Sequence, residues 1–244
     1  MAHELEMIDG KAQMAYRASQ GKPWHRLGNP VSDDMTPLEM MRVAGVDWEV
    51  EKVDSFIDFN GERIATGQQS LVRSTDGKIL SQVGKDWNPV QNRDAFEFFT
   101  DFVANGDMVM DTAGSLKDGR LVWALADVRD GFELFGGDEV RGYLLFSNPH
   151  MYGKSIDVKF VMERVVCNNT LSVALSEKGQ PSVRVNHRSQ FNADRVKEIL
   201  GLSHSRVENF KEAAEFLGSK SYIKNDLEQY FGKVFGLSSK ENKD

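Results

Sequence analysis

Residues Trp48–Gly84, WEVEKVDSFIDFNGERIATGQQSLVRSTDGKILSQVG, contain the pattern that decides the fold. Three extended runs rich in Val, Ile and Phe are separated by Asn60-Gly61 and Asp76-Gly77. Asn-Gly and Asp-Gly pairs between such runs are strong signals for hairpin turns. The stretch therefore predicts a three-stranded antiparallel meander.

A helix is expected on each side of this meander. Before it, Thr36 can cap a helix that has Pro37 at its first position, Leu38, Met41 and Val43 on its apolar side, and Gly45 at its end. After it, Asn88-Pro89 breaks the third strand, and the segment from Asn92 to Gly106 predicts a helix capped by Asn92. Phe96, Phe99 and Val103 form an apolar stripe, so this helix is free to cover one face of the sheet.

A second block rich in strands follows and predicts a larger antiparallel sheet. Its extended runs are MVMDTAGSL, RLVWALADV, VRGYLLFSN and SIDVKFVMERVV. A short helix over Asn169–Leu175 and an extended segment at PSVRVNHRS come next, and the chain is expected to be helical from Asn192 through Lys233. The predicted fold class is α+β, with an α+β core domain over residues 1–190 and a helical C-terminal region over residues 191–244.

Composition indicates an ordinary globular protein. The chain has 244 residues, of which 40% are hydrophobic, and no stretch resembles a signal peptide or a membrane-spanning helix. Cys167 is the single cysteine and lies in an apolar run, which predicts a buried core position. We therefore expect no membrane partner and a cytoplasmic location in a bacterial host cell.

The familiar enzyme motifs are missing from the sequence. There is no phosphate-binding GxxxxGK[ST] loop, no dinucleotide fingerprint, no HExxH helix and no GxSxG nucleophile elbow. The five histidines are scattered. The sequence thus predicts no enzymatic activity, no catalytic residues, no metal site and no cofactor.

Positive charge is concentrated in one part of an acidic chain. The net charge is −7, yet between Arg141 and Arg188 seven Lys and Arg side chains accompany only three Asp and Glu. A mixed, solvated surface is one explanation. The other is a local track for a polyanion, because single-stranded nucleic acid is held by cations along its backbone and by aromatic rings that stack on its bases.

The residues Lys154–Arg164 alternate as in a β-strand, which places Lys154, Ile156, Val158 and Phe160 on one face. Phe160 is expected to pack in the core. The candidate nucleic-acid-binding residues are Tyr152, Lys154, Lys159, Arg164, Arg184, His187 and Arg188.

Three segments resemble a known family. PWHRLG at Pro23–Gly28, VSDDMTPLEMMRVAGVDWEVEK at Val31–Lys52 and RVVCNNTLSVAL at Arg164–Leu175 resemble the phage/plasmid-like protein family, a domain of unknown function found on prophages and plasmids. The β-β-β-α order from Trp48 to Gly106 is also similar in outline to the core of phage single-strand annealing recombinases of the Redβ, RecT and ERF kind. This second likeness is one of fold outline alone.

The leading hypothesis is therefore a phage or mobile-element protein of DNA metabolism. It would bind single-stranded DNA without a cofactor and promote strand annealing and recombination as a homo-oligomer, in a ring or a filament. The alternative is a non-enzymatic interaction or host-takeover module whose acidic surface engages a phage or host protein. A third hypothesis is an enzyme whose site is assembled from dispersed residues.

Overall fold

The computed structural model describes residues 4–134, 138–176 and 182–200, without the side chains of residues 130–134 and 138–141. Within these ranges it contains twelve strands, five α-helices and a 3₁₀ turn at Ala18–Gln20. The strands are β1 Met7–Ile8, β2 Lys11–Ala12, β3 Met14–Arg17, β4 Asn29–Val31, β5 Val50–Phe59, β6 Glu62–Arg73, β7 Ile79–Val83, β8 Met108–Leu116, β9 Leu121–Leu134, β10 Asp138–Pro149, β11 Ile156–Val161 and β12 Ser182–Val185. The α-helices are α1 Pro37–Val43, α2 Asn92–Glu97, α3 Thr100–Ala104, α4 Asn168–Ser176 and α5 Ala193–Leu200.

The predicted meander is present as a three-stranded antiparallel sheet in the order β5-β6-β7. Asn60 and Gly61 form the first turn, and both have a positive φ (52° and 83°), as a two-residue hairpin turn requires. Gly77 in the second turn also has a positive φ. The turn residues therefore set the register of this sheet.

The second predicted sheet is also present, and it is larger than expected. Seven strands follow the order β12-β11-β10-β9-β8-β3-β4, so two short N-terminal strands extend the strands that the sequence indicated. The pairing of β3 with β4 is parallel. The α+β fold with antiparallel sheets is thus confirmed, with this one parallel pair added.

Both faces of the seven-stranded sheet are covered by apolar residues. On β10, Leu144 and Phe146 belong to one core cluster, whereas Tyr143 and Leu145 belong to another. Because alternate residues of a strand point to opposite faces, the two clusters lie on opposite sides of the sheet. We call the first the meander face, since β5–β7 and α1–α3 contribute to it, and the second the α4 face.

The helix α1 begins as the sequence predicted. Thr36 caps it by accepting a hydrogen bond from the Glu39 N–H at 3.3 Å, and the Glu39 carboxylate accepts one from the Thr36 N–H at 3.0 Å. This reciprocal pair satisfies two N–H groups that a helix start leaves unbonded. The expected apolar side is wrong at Val43, which is exposed, because Met40 and Met41 are the buried residues.

The second predicted helix differs in three respects. It is divided into α2 and α3, and the adjacent Phe98 and Phe99 at the division are both buried. Asn92 is not its cap: it is fully buried at the first helical position, and the Gln91 N–H, one residue earlier, donates to the Asp94 carboxylate. Finally, α3 packs against β8, and the Gln91 side chain just before α2 bonds Val50 of β5, so this region covers the seven-stranded sheet as well as adjoining the meander.

The chain divides into two compact units. One comprises Met1–Gly131 with Val140–Leu202, and the other comprises Phe132–Glu139 with Ser203–Asp244. In the second unit only the ends of β9 and β10 are described. The predicted C-terminal helical region begins with α5, and its remainder from residue 201 lies outside the described residues. No described helix is long and apolar enough to cross a membrane.

Candidate nucleic-acid interface

Two of the predicted site residues meet in a cleft at one end of the meander. Tyr152, in the loop after β10, and Arg188, in the loop after β12, line a cavity of about 240 Å³. The remaining lining residues come from β6, β7 and the loop that follows β7: Gln68, Gln82, Val83, Gly84, Asp86 and Trp87. We call this cavity the Tyr152 cleft.

Hydrogen bonds hold the loops of the Tyr152 cleft in place. The Tyr152 N–H donates to the Ser81 hydroxyl at 3.1 Å, which ties the loop after β10 to strand β7. The Asn88 N–H donates to the His187 carbonyl at 2.7 Å, which ties the loop after β7 to the segment that carries Arg188. The side chain of Tyr152 nevertheless stays 67% exposed, so one aromatic ring is available to a ligand.

His187 is part of the floor beneath this cleft. Its ring stacks on Trp87 with centroids 4.0 Å apart and planes inclined by 20°. His187 is buried, and burial lowers the pKa of its imidazole against the opposing effect of the Asn88 and Pro149 carbonyls. A neutral, buried imidazole positions Trp87 and adds no positive charge to the cleft at neutral pH.

Several basic residues lie in the segments next to the Tyr152 cleft. The Lys52 ammonium donates to the Lys85 carbonyl at 2.8 Å, which places Lys52 beside the loop that lines the cleft. Lys85 is exposed, as are Arg188 and Lys154, and Lys154 lies two residues beyond Tyr152. The opposing charge in the lining is Asp86.

Lys159 and Arg164 do not lie with these residues. Lys159 is buried on the α4 face, where its ammonium donates to the Ala174 carbonyl at 2.7 Å at the end of α4. Arg164 is bound to the buried Asp111 carboxylate at 2.7 Å. Both cations already stabilise partners inside the molecule, and binding phosphate would require breaking those contacts.

Arg184 is exposed but also points away from the cleft. It lies opposite Asp157 in the β11–β12 pair and contacts that carboxylate at 2.8 Å. Asp157 shares its face of β11 with Lys159, whereas the Tyr152 cleft adjoins Val83 and Trp87 of the meander-face cluster. The seven predicted residues are thus divided between two faces of the sheet, and Tyr152, Lys154, His187 and Arg188 remain near one another.

Two further expectations for this region are confirmed. Phe160 is partly buried and packs against the meander-face core, as predicted. Cys167 is buried in the α4-face core. Arg141 and Lys178, which contributed to the local positive charge in the sequence, have no described side chain.

Sequence reasoning missed the contribution of β6 and β7 to the cleft. Gln68 and Gln82 offer amide groups that can donate and accept hydrogen bonds, as the edges of nucleobases require. A tryptophan one residue before the Asn88-Pro89 break was the available signal, because a large aromatic residue in a loop needs something to pack against. The neighbours of Trp87 come from the loop after β12, about a hundred residues later, which no local pattern reveals.

The volume and composition of the cleft restrict its ligands. Sites that enclose small-molecule cofactors usually span roughly 300–1,000 Å³ and are mostly apolar. The Tyr152 cleft is smaller, and its lining includes charged and amide side chains. Among residues 4–134, 138–176 and 182–200, no group of three or more His, Cys, Asp or Glu side chains could hold a metal ion. The cleft thus combines one exposed aromatic ring, two amide side chains and one guanidinium.

Comparisons with known proteins give a family and no function. No curated protein and no solved structure matches the chain. The model of a family described as a domain of unknown function, DUF932, matches residues 79–244. This match begins at β7 and covers more than half of the 244 residues. The chain therefore belongs to the family of the domain of unknown function DUF932.

Proposed function

We propose that this chain is a non-enzymatic protein of phage or plasmid DNA metabolism that binds single-stranded DNA at the Tyr152 cleft and promotes strand annealing. The observation that carries the proposal is the exposed Tyr152 ring beside Arg188 in a cleft lined by Gln68 and Gln82. A base that stacks on Tyr152 would place its phosphate near Arg188, Lys154 and Lys85. Unpaired bases are the ligands that present both a flat ring and a nearby phosphate.

The small number of cations predicts a weak and salt-dependent interaction. If three phosphates are neutralised, the affinity for a single strand should fall roughly 20-fold between about 50 and about 200 mM salt. Duplex DNA should bind less well, because its bases are stacked on one another and cannot reach Tyr152. Fluorescence anisotropy with labelled single and double strands measures both effects.

Three variants test the location of the site. Tyr152→Ala should weaken single-strand binding by about tenfold or more, the usual effect of removing one stacking ring, and Arg188→Ala should reduce the salt dependence. Arg184→Ala is the matched control, since it removes an exposed arginine that contacts Asp157 and does not line the cleft. An affinity that ignores salt, or equal losses in all three variants, would contradict the proposal.

A protein-interaction role is the second candidate. It is favoured by the far part of the β5–β6 hairpin, where apolar side chains are exposed beside the carboxylates of Asp54, Asp58 and Glu62. Apolar surface of this kind marks contacts with other chains. Protein that ignores oligonucleotides but loses a defined protein partner after Ile57→Asp would favour this role over DNA binding.

A further inference from the structure

The hairpin of β5 and β6 is mostly exposed: residues 56–68 are all exposed, and of residues 52–55 only Ser55 is buried. We call residues 52–68 the arm. On one face of it, Val53, Ile57 and Phe59 are 47%, 53% and 60% exposed, and Ile64 lies directly opposite Ile57. Strand β5 is also an edge of its sheet, and an edge strand is a template for pairing with another strand. The arm thus offers an apolar face and a strand edge with which no other strand pairs within the part of the chain that the structure describes.

The hydrogen-bonding groups along this edge can be assigned from both ends of β5. At the base, the Gln91 side chain bonds the Val50 N–H at 2.8 Å and the Val50 carbonyl at 3.1 Å, so the backbone groups of Val50 point away from β6. At the tip, the two-residue turn makes Phe59 and Glu62 a hydrogen-bonded pair, so the groups of Asp58 point outward.

Between these two ends, the backbone groups of successive β5 residues alternate without interruption between pointing towards β6 and pointing away from it. The register shift near Ser55 adds its extra residues to β6, where Thr66–Gln68 lie opposite Ser55 alone. Both ends of β5 therefore show that the backbone N–H and carbonyl groups of its even-numbered residues point away from β6. Lys52, Asp54, Phe56 and Asp58 direct their N–H and carbonyl groups towards a partner strand.

These outward groups favour one symmetric pairing. With a two-fold axis at Ser55, Lys52 lies opposite Asp58 of a second copy, and Val53 lies opposite Ile57. A shift of the register by two residues in one direction places Asp54 opposite Asp54, and in the other direction places Asp54 opposite Asp58. The Ser55-centred register uses all four outward residues of each strand and avoids both aspartate pairs.

The charges involved are available for such a contact. Lys52 donates only to a backbone carbonyl, and within the described ranges neither Lys52 nor Asp58 forms an ion pair. Like charges opposite each other destabilise a strand pair, whereas opposite charges stabilise it. The charge pattern of β5 is therefore complementary to itself in the Ser55-centred register. A two-fold axis at Val53 would also pair Lys52 with Asp54, but it would set Val50 opposite Phe56, and the backbone groups of Val50 are already bonded by the Gln91 side chain.

We propose that β5 pairs antiparallel with β5 of a second copy of this chain around a two-fold axis at Ser55, joining two meanders into one six-stranded sheet. The apolar residues Val53, Ile57, Phe59 and Ile64 of both copies then form one patch on one face of that sheet. This interface involves neither Tyr152 nor Arg188, and Asp58 does not line the cleft, so Asp58→Lys tests strand pairing separately from DNA binding; Lys52 lies beside both regions. The contact area of two strand edges is small, and the expected dimer is in reversible equilibrium with the monomer.

A charge-exchange experiment tests the register. The mass in solution of the full chain is measured by light scattering from about 1 to about 200 µM, where a weak dimer should dissociate on dilution. Asp58→Lys and Lys52→Glu should each raise the dissociation constant roughly tenfold, because each creates two like-charge pairs per dimer. The double variant should restore dimerisation, because the opposite charges then face each other again.

Two controls separate an effect on β5 pairing from other causes of a change in dimerisation. Ile57→Asp should weaken the dimer, whereas Ile79→Asp should not, since Ile79 is similarly exposed (62%) on β7 at the other edge of the same sheet. Circular dichroism of each variant establishes that the fold is retained. A chain that stays monomeric at the highest concentration, or a double variant no better than either single one, would overturn the proposal.

Discussion

Arg164 and Asp111 form a two-point ion pair between residues 53 positions apart in the chain. The Arg164 Nε lies 2.7 Å from Asp111 Oδ2, and Nη2 lies 3.3 Å from Oδ1. The remaining nitrogen, Nη1, donates to the carbonyls of Gln20 and Gly21. One guanidinium therefore joins strand β8, the segment before α4 and the N-terminal segment.

Arg164→Ala is expected to destabilise the protein by roughly 3 kcal/mol, because it removes a partner from a buried carboxylate. Burial raises the pKa of Asp111 against the hydrogen bond from Arg164, so the variant should raise this pKa further. Urea unfolding at pH 7 measures the loss. Arg184→Ala provides the comparison and should change stability by less than about 0.5 kcal/mol, since its pair with Asp157 is exposed. Equal losses would mean that Arg164 contributes no more than a surface pair.

A second buried ion pair connects the N-terminal segment with the meander. The Glu6 carboxylate accepts hydrogen bonds from Arg73 and Ser115, each at 2.7 Å, and both Glu6 and Arg73 are buried. Glu6→Gln keeps the shape and removes the charge, so the free energy of unfolding should fall by roughly 2–3 kcal/mol. Glu97→Gln is a matched control, because Glu97 contacts Arg93 on an exposed helix surface. A loss at Glu6 no greater than that at Glu97 would contradict this account.

The sequence predicted those parts of the fold that depend on local signals. The Asn60-Gly61 turn, the start of α1 at Thr36 and Pro37, and the alternation through β8–β11 each depend on residues close together in the chain. The N-terminal strands β3 and β4 were missed, because both are short and β3 pairs with β8, which lies about a hundred residues later in the chain. Asn92 was misassigned for the same reason: its amide bonds to Val46 and Trp48 rather than to its own helix.

The candidate site was only partly predictable. The sequence shows where Lys and Arg residues occur, but not which of them are free and which neutralise a carboxylate that is distant in the chain. Lys159 and Arg164 were predicted to bind nucleic acid because their partners, the Ala174 carbonyl at the end of α4 and Asp111, are not close to them in the sequence. Tyr152 and Arg188, which the sequence also singled out, both line the cleft and both lie in loops, where exposure is the usual condition.

Gly114, in the middle of β8, leaves room for the Trp123 ring. A Cβ at this position would lie 2.5 Å from the Trp123 ring and 2.7 Å from the Gln13 carbonyl oxygen, and the latter is backbone that cannot move aside. Gly114→Ala should therefore lower the free energy of unfolding by about 1–3 kcal/mol. The matched control is Gly142→Ala in β10, where an added Cβ meets no atom within 4 Å. A thermal unfolding series in which both variants behave alike would show that the contact with Trp123 relaxes without cost.

His150 gives the protein a dependence of stability on pH. It is fully buried, its Nε2 lies 2.9 Å from the Asn92 Oδ1, and its ring lies against Trp48 with centroids 5.4 Å apart. Burial lowers the pKa of His150 to about 3, with a smaller contribution from the charge of His187. The folded state therefore holds His150 neutral at pH values where an unfolded chain would bind a proton.

The sign of the effect follows from this difference. Between the folded pKa of about 3 and the ordinary value of 6.5, the unfolded state binds more protons, so the free energy of unfolding falls as pH falls. From pH 7 to pH 5 the contribution of His150 alone is about 2 kcal/mol. The lowered pKa of His187 acts in the same direction. His150→Gln, measured by urea unfolding at both pH values beside the native chain, should be less stable at pH 7 and lose less on acidification. If the variant loses as much free energy of unfolding between pH 7 and pH 5 as the native chain does, His150 is not the residue responsible.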